Sequence, residues 1–147
     1  MKRHIPGLHL RANDGEQRLE GLFLVRVEWA SYRWHAQKPF WLIRFVVLEP
    51  KPFAGRSFTG RLYCTERALW KLNWFLRDFG YDTDLLGQDQ VDQKALLHLR
   101  GIVRISYATL RDRSFLNLEA FAPAGEWEEV SCAAIEDGKS QANRHDL

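Results

Sequence analysis

Arginine occurs once near the middle of each of four apolar segments. These are Arg26 in GLFLVRVEWAS, Arg44 in FWLIRFVVLE, Arg61 in SFTGRLYC and Arg104 in GIVRISYA. An unpaired guanidinium is costly to bury, so each segment needs a second face that stays outside the core. Such a face would offer bidentate contacts to phosphate oxygens. Between the first two segments, YRWHAQKP interleaves rings and cations: Tyr32, Arg33, Trp34, His35 and Lys38. Between the last two, TLRDR supplies Arg111 and Arg113, while Tyr63 lies two residues from Arg61. Cations that track a backbone beside rings that stack on bases are how single strands are bound with little sequence preference, at ~1–3 kcal/mol per stacked base. The candidate nucleic-acid-binding residues are therefore Arg26, Arg33, Trp34, Lys38, Arg44, Arg61, Tyr63, Arg104, Arg111 and Arg113.

These residues need strands to hold them. Gly21 to Ser31, Phe40 to Glu49 and Ser57 to Cys64 read as three strands, with Tyr32 to Pro39 a loop and PKPFAGR a turn. The period then changes. Leu69, Leu72, Leu76 and Phe79 recur at helical spacing, with Thr65 placed to cap the start and Gly80 to stop the end. An acidic turn, YDTDLLGQDQ, and a short helical segment, VDQKALLHLRG, follow. Gly101 to Ala108 and Ser114 to Phe121 complete five strands. Three strands, a helix and two strands is the element order of a five-stranded, OB-fold-like barrel. The chain divides into a flexible arm over 1–20, this mainly β domain over 21–122, and an acidic, disordered tail over 123–147. Another half-open barrel or an α+β sandwich is the alternative architecture.

Alternation along each strand splits its side chains into two faces. Phe23, Val25, Val27 and Trp29 oppose Leu24, Arg26 and Glu28, and Trp41, Ile43, Phe45 and Val47 oppose Phe40, Leu42, Arg44 and Val46. Phe58, Gly60, Leu62 and Cys64 oppose Thr59, Arg61 and Tyr63; Val103, Ile105 and Tyr107 oppose Arg104 and Ser106. On this reading Arg26, Arg44, Arg61 and Arg104 form one stripe, with Phe40, Leu42 and Tyr63 as stacking surfaces. Salt bridges to Glu28 and Glu119 would instead make the stripe an ordinary solvated wall. Trp34 either stays out for a ligand or folds back to plug the end of the barrel.

Charge is distributed unevenly. Residues 1–122 carry 19 Lys/Arg against 13 Asp/Glu, and residues 123–147 carry 2 against 6. A basic body with an acidic end points toward nucleic acid. The 147 residues suffice for one core, and 46% hydrophobic content makes that core globular. No apolar run approaches the ~20 residues of a membrane helix, and no signal peptide is apparent. Two cysteines, one in a strand and one in the tail, imply no disulfide framework and a reducing, cytoplasmic setting.

The segments GLFLVRVEWA, FWLIRFVVLEPKPFAGRSFTGRLY, ERALWKLNWFLRDFGY and ALLHLRGIVRISY resemble a phage- and plasmid-borne family, mostly of unknown function and regarded as similar to single-stranded-DNA-binding proteins. The resemblance spans about Gly21 to Tyr107, with ALWKL and the leucine-rich helix ending at Gly80 its most telling part. It implies an OB-like fold and a role beside replication or recombination, with replication or recombination proteins as partners of the acidic tail and no catalytic residues. The loop YRWHAQKP is more aromatic here than in that family.

Sites of other kinds lack their spacing. There is no CxxC, HExxH or GxxxxGK[ST], and Asp82, Asp84 and Asp89 lack a calcium loop's ligand order. Cys64 reads as a small buried hydrophobe. No cofactor, metal or enzymatic activity is expected. The alternative function is a protein-interaction module, with a second copy of the chain among its candidate partners, using the same face or a seam formed by Trp70 and Trp74, which share a helix face.

Overall fold

The computed structural model describes residues 2–3 and 18–132. Most of the arm read over 1–20 and residues 133–147 of the acidic tail lie outside the described residues. Five strands form one antiparallel sheet: β1 (Gly21–His35), β2 (Lys38–Glu49), β3 (Ser57–Tyr63), β4 (Arg100–Leu110) and β5 (Arg113–Pro123), in the order β3-β2-β1-β4-β5. Three helices link β3 to β4: the expected main helix, a further one in the acidic turn, and the short one expected in VDQKALLHLRG. They are α1 (Leu69–Asp78), α2 (Thr83–Gly87) and α3 (Gln93–Leu96). The acidic turn contains α2, because the Asp82 carboxylate accepts hydrogen bonds from the Asp84 and Leu85 amides at 2.9 and 3.1 Å. Beyond β5 a 3-10 turn (Ala124–Glu126) leads into a helical segment, α4, over residues 127–132.

The expected barrel does not close. The sheet's two edge strands, β3 and β5, meet side chain to side chain. A Cβ added at Gly60 would fall 2.7 Å from Leu118, yet among the described residues no backbone ladder joins the two strands. Glycine is required there because the opposing strand already fills the space.

The concave side of the sheet holds the core. Alternation places Phe23, Val25, Val27, Ile43, Phe45, Val47, Leu62, Val103, Ile105 and Leu118 there, all buried. Helix α1 covers this side with Leu72, Phe75, Leu76 and Phe79. Phe45 stacks on Phe58 at 5.2 Å and meets Phe75 and Phe79 edge-on at 6.0 Å. Phe121 packs edge-on against Phe75 at 5.5 Å. Rings at these spacings add dispersion and quadrupole attraction to the area they bury. Gly101 lets Phe79 approach: a Cβ there would lie 2.4 Å from the ring. The helix stripe differs from the expected one at a single position. Leu69, in the first turn, is 48% exposed, and Phe75 takes the central buried place. Gly80, at φ 75°, ends α1 as anticipated, its amide bonding back to the Arg77 carbonyl at 3.2 Å. Thr65 instead precedes a 3-10 turn (Glu66–Ala68), and α1 begins after Ala68.

Buried Tyr81 ties down the connection from α2 to α3. Its hydroxyl donates to the Gln90 carbonyl at 2.9 Å and accepts from the Asp92 amide at 2.8 Å, so its burial leaves no polar atom unpaired.

Candidate nucleic-acid interface

Cross-strand register decides which side chains share the convex face. Residues directly opposite one another project the same way. Arg44 of β2 pairs with Trp29 of β1 on one side and Thr59 of β3 on the other. Leu42 pairs with Ser31 and Arg61, and Phe40 with Arg33 and Tyr63. Arg33, Arg44 and Arg61, from three adjacent strands, therefore project from one face, and all three are exposed.

Trp29 is the residue that strict alternation misplaces. A register shift between Val27 and Trp29 inserts Glu28 as a bulge, so Trp29 turns to the convex face and Ala30 takes its place in the core. The bulge gives two arginines a common support. The Arg44 Cζ lies 5.8 Å and the Arg33 Cζ 5.5 Å from the centre of the Trp29 ring. In turn, Arg61 lies 4.8 Å over the Phe40 ring, and its Nη1 donates to the Tyr63 hydroxyl at 3.5 Å. Phe40 is buried beneath Arg61 and beside Tyr63, at 3% exposure, so it supports the cation and presents no surface for stacking. Among the described residues, the neighbours of these three guanidiniums are rings and a hydroxyl, and no carboxylate lies in ion-pair range of them. Cations held this way are oriented but not neutralised.

Both segments read as loops are ends of β-hairpins. β1 runs to His35 and β2 starts at Lys38, with Ala36 and Gln37 at φ 51° and 64°. β4 and β5 are joined by Arg111 and Asp112, at φ 51° and 65°. Two consecutive residues at positive φ make the turn whose twist matches a hairpin, here without the usual glycine. Trp34 does not plug the sheet: it is 65% exposed and meets Tyr32 edge-on at 6.2 Å. The first hairpin thus carries Arg33 and Lys38 on the convex side and Trp34, opposite Pro39, on the other side. The second carries exposed Arg111 and Arg113 at the far end of the strand order.

Arg26 and Arg104 stand apart from the open area. Arg26 is half-buried, pairs across β1 and β4 with Arg100, and donates to His98 Nδ1 at 3.2 Å. Arg104 projects from the same sheet, but there the 3-10 turn and α4 lie over the strands. Arg104 lines a groove with Glu119, Trp127 and Ser131, and beneath this cover Ile102 is 1% exposed. Glu119 itself accepts a 2.6 Å hydrogen bond from Ser106. The expected stripe of four arginines is therefore interrupted.

Beside the open face, a cavity of about 680 Å³ lies between β3 and β5, lined by Arg61, Tyr63, Lys71, Phe115 and Asn117 among others. Lys71 Nζ donates to Asn117 Oδ1 at 3.5 Å. Burial holds the Lys71 ammonium below its ordinary value of 10.5, with the Glu119 carboxylate opposing that shift. Burial likewise raises the Cys64 thiol above 9.0. The cavity is not legible in the sequence, since its walls come from strands and a helix distant along the chain.

Among the described residues no group of three or more His, Cys, Asp or Glu side chains could hold a metal, and no helix is long and apolar enough to cross a membrane. No protein-family model matches the chain, and no curated protein matches it.

Proposed function

We propose that this protein binds single-stranded DNA, without enzymatic action, along the convex face of β1, β2 and β3. Phosphates would meet Arg33, Arg44 and Arg61, with Lys38 at the hairpin end, and bases would stack on Trp29 and Tyr63; Trp34, which projects from the opposite side of the hairpin, could meet a strand only at its rim. One observation carries this reading: among the described residues, three exposed guanidiniums from adjacent strands rest on aromatic rings rather than carboxylates. A solvated wall would pair its arginines with acids. A strand of phosphates and bases needs free cations beside flat apolar surfaces.

We also read the fold as a half-open OB-fold. In support, β1 lies between β2 and β4, α1 sits between β3 and β4 in sequence, and β3 meets β5 through Gly60 and Leu118. In that fold the faces of strands two and three and the loops after strands one and four meet oligonucleotides, and on this reading Arg111 and Arg113 would be outer contacts.

A second reading, a protein-interaction surface on α1, draws on Trp70. It is 63% exposed and stacks on Trp74 at 6.1 Å, while Trp74 donates to Asp78 at 2.9 Å. Assembly there would depend little on salt.

Titration of the full chain with oligo-dT, followed by tryptophan emission, separates the two. Single-strand binding quenches emission, and three to four phosphate contacts give a log Kd against log salt slope of magnitude ~2–3. No quenching and no gel shift at low salt overturns the proposal.

A further inference from the structure

Resting on the single-strand reading above, we infer that the cleft between β3 and β5 takes one unstacked nucleotide of the bound strand, with Asn117 at the edge of its base and Lys71 at its phosphate. Arg61 and Tyr63 belong both to the open face and to the cleft wall, so a strand that follows the face arrives at the opening. The cavity of about 680 Å³ is of the size that holds small organic ligands, ~300–1,000 Å³.

The chemistry of the walls matches the three parts of a nucleotide. Lys71 and Arg61 bring positive charge for a phosphate. Phe115, 50% exposed on β5, presents a flat apolar surface for a base. Asn117 offers both a donor and an acceptor, as does the backbone of two edge strands with no ladder between them. A base edge also carries donors and acceptors side by side, whereas an aliphatic ligand would leave these groups unpaired. The Lys71–Asn117 contact, at 3.5 Å, is long enough to be exchanged for ligand contacts at little cost. Lys71 is partly desolvated before any ligand arrives, and a phosphate oxygen would replace the water it has lost. The cleft would thus add base selectivity to a face that is otherwise indifferent to sequence.

Fluorescein-labelled dT, dC and dA homopolymers of equal length, bound to the full chain across a salt series, test this. The wild type should discriminate among them. Asn117→Ala should weaken the preferred homopolymer about 5- to 10-fold, the loss of one buried hydrogen bond, and narrow the spread. Lys71→Met should lower the salt slope by ~0.7, and Lys71→Arg should restore it. Thermal melting shows whether each variant is folded, and Lys71→Gln and Asn117→Asp serve if Lys71→Met and Asn117→Ala are not. Charge- or amide-removing variants at Lys71 and Asn117 that bind like the wild type overturn the cleft assignment and leave the open face intact. A uniform loss over all homopolymers with an unchanged slope also overturns it, since that reports a structural role. If the wild type binds none of the three, both readings fall. Should an extended peptide bind and protect β3 and β5 amides from exchange while oligonucleotides do not, the seam takes an added strand and the inference is wrong.

Discussion

The convex side of the sheet has two halves built from the same pattern, an arginine flanked by apolar residues, and the halves differ in outcome. Over β1, β2 and β3 the arginines are exposed and lie on Trp29 and Phe40. Over β1, β4 and β5 the 3-10 turn and α4 cover part of the strands, Ile102 is buried on what would have been an outer position, and Arg104, itself exposed, shares a groove with Glu119 and Trp127. A strand pattern specifies that a second face exists. What covers that face is decided by other parts of the chain.

The largest expected effect tests this division directly. Arg44→Glu together with Arg61→Glu should weaken oligo-dT binding about 100-fold at low salt, roughly 3 kcal/mol for two charge-assisted contacts reversed. Arg104→Glu should cost less than ~3-fold, as expected of a charge outside the contact area. Parallel fluorescence titrations of the two proteins check it, and equal losses would erase the distinction between the halves.

A smaller effect sharpens the role of the bulge. Trp29→Ala removes the ring that orients both Arg33 and Arg44, with an expected 5- to 10-fold loss, ~1–1.5 kcal/mol for one stacking platform and its cation contacts. Trp127→Ala, on the covered half, should leave affinity unchanged while lowering the melting temperature, because it removes packing over β4 and β5 rather than a ligand contact. Titration and melting curves on both variants give the comparison.

The smallest effect is read in alkaline pH. Lys71 has a folded value below 10.5, so between the two values the unfolded chain holds more protons and stability rises with pH. Cys64 has the opposite sign. Its folded value lies above 9.0, the folded chain retains a proton the unfolded chain releases, and stability falls as pH passes 9.0. Denaturant midpoints from about pH 7 to about pH 11 should lose their rising component in Lys71→Met and their falling component in Cys64→Ala. Unchanged curves in both variants would show that neither group is desolvated by folding.

The strands, their faces and the helix α1 were legible in the sequence because period and burial are local. Val25, Ile43, Phe45 and Val103 are buried where alternation places them, and Gly80 ends the helix where its freedom at positive φ is needed. Two segments without a glycine at their tips, YRWHAQKP and TLRDR, read as loops but pair as hairpins, since nothing in Ala36–Gln37 or Arg111–Asp112 advertises the turn. The single bulged Glu28 moved Trp29 to the opposite face, and a period-two reading has no means of detecting an inserted residue.

Residue order alone therefore determined that this chain builds a mainly β sheet with an apolar side and an arginine-bearing side, because each strand's faces follow from its own alternation. Tertiary structure alone decided that three of those arginines share one open surface, that Arg104 lies at a separate groove beside α4, and that Lys71 of α1 meets Asn117 of β5 beside an unclosed seam. Those outcomes depend on register, on a bulge and on distant segments packing together, and none of these is encoded within the reach of a single strand.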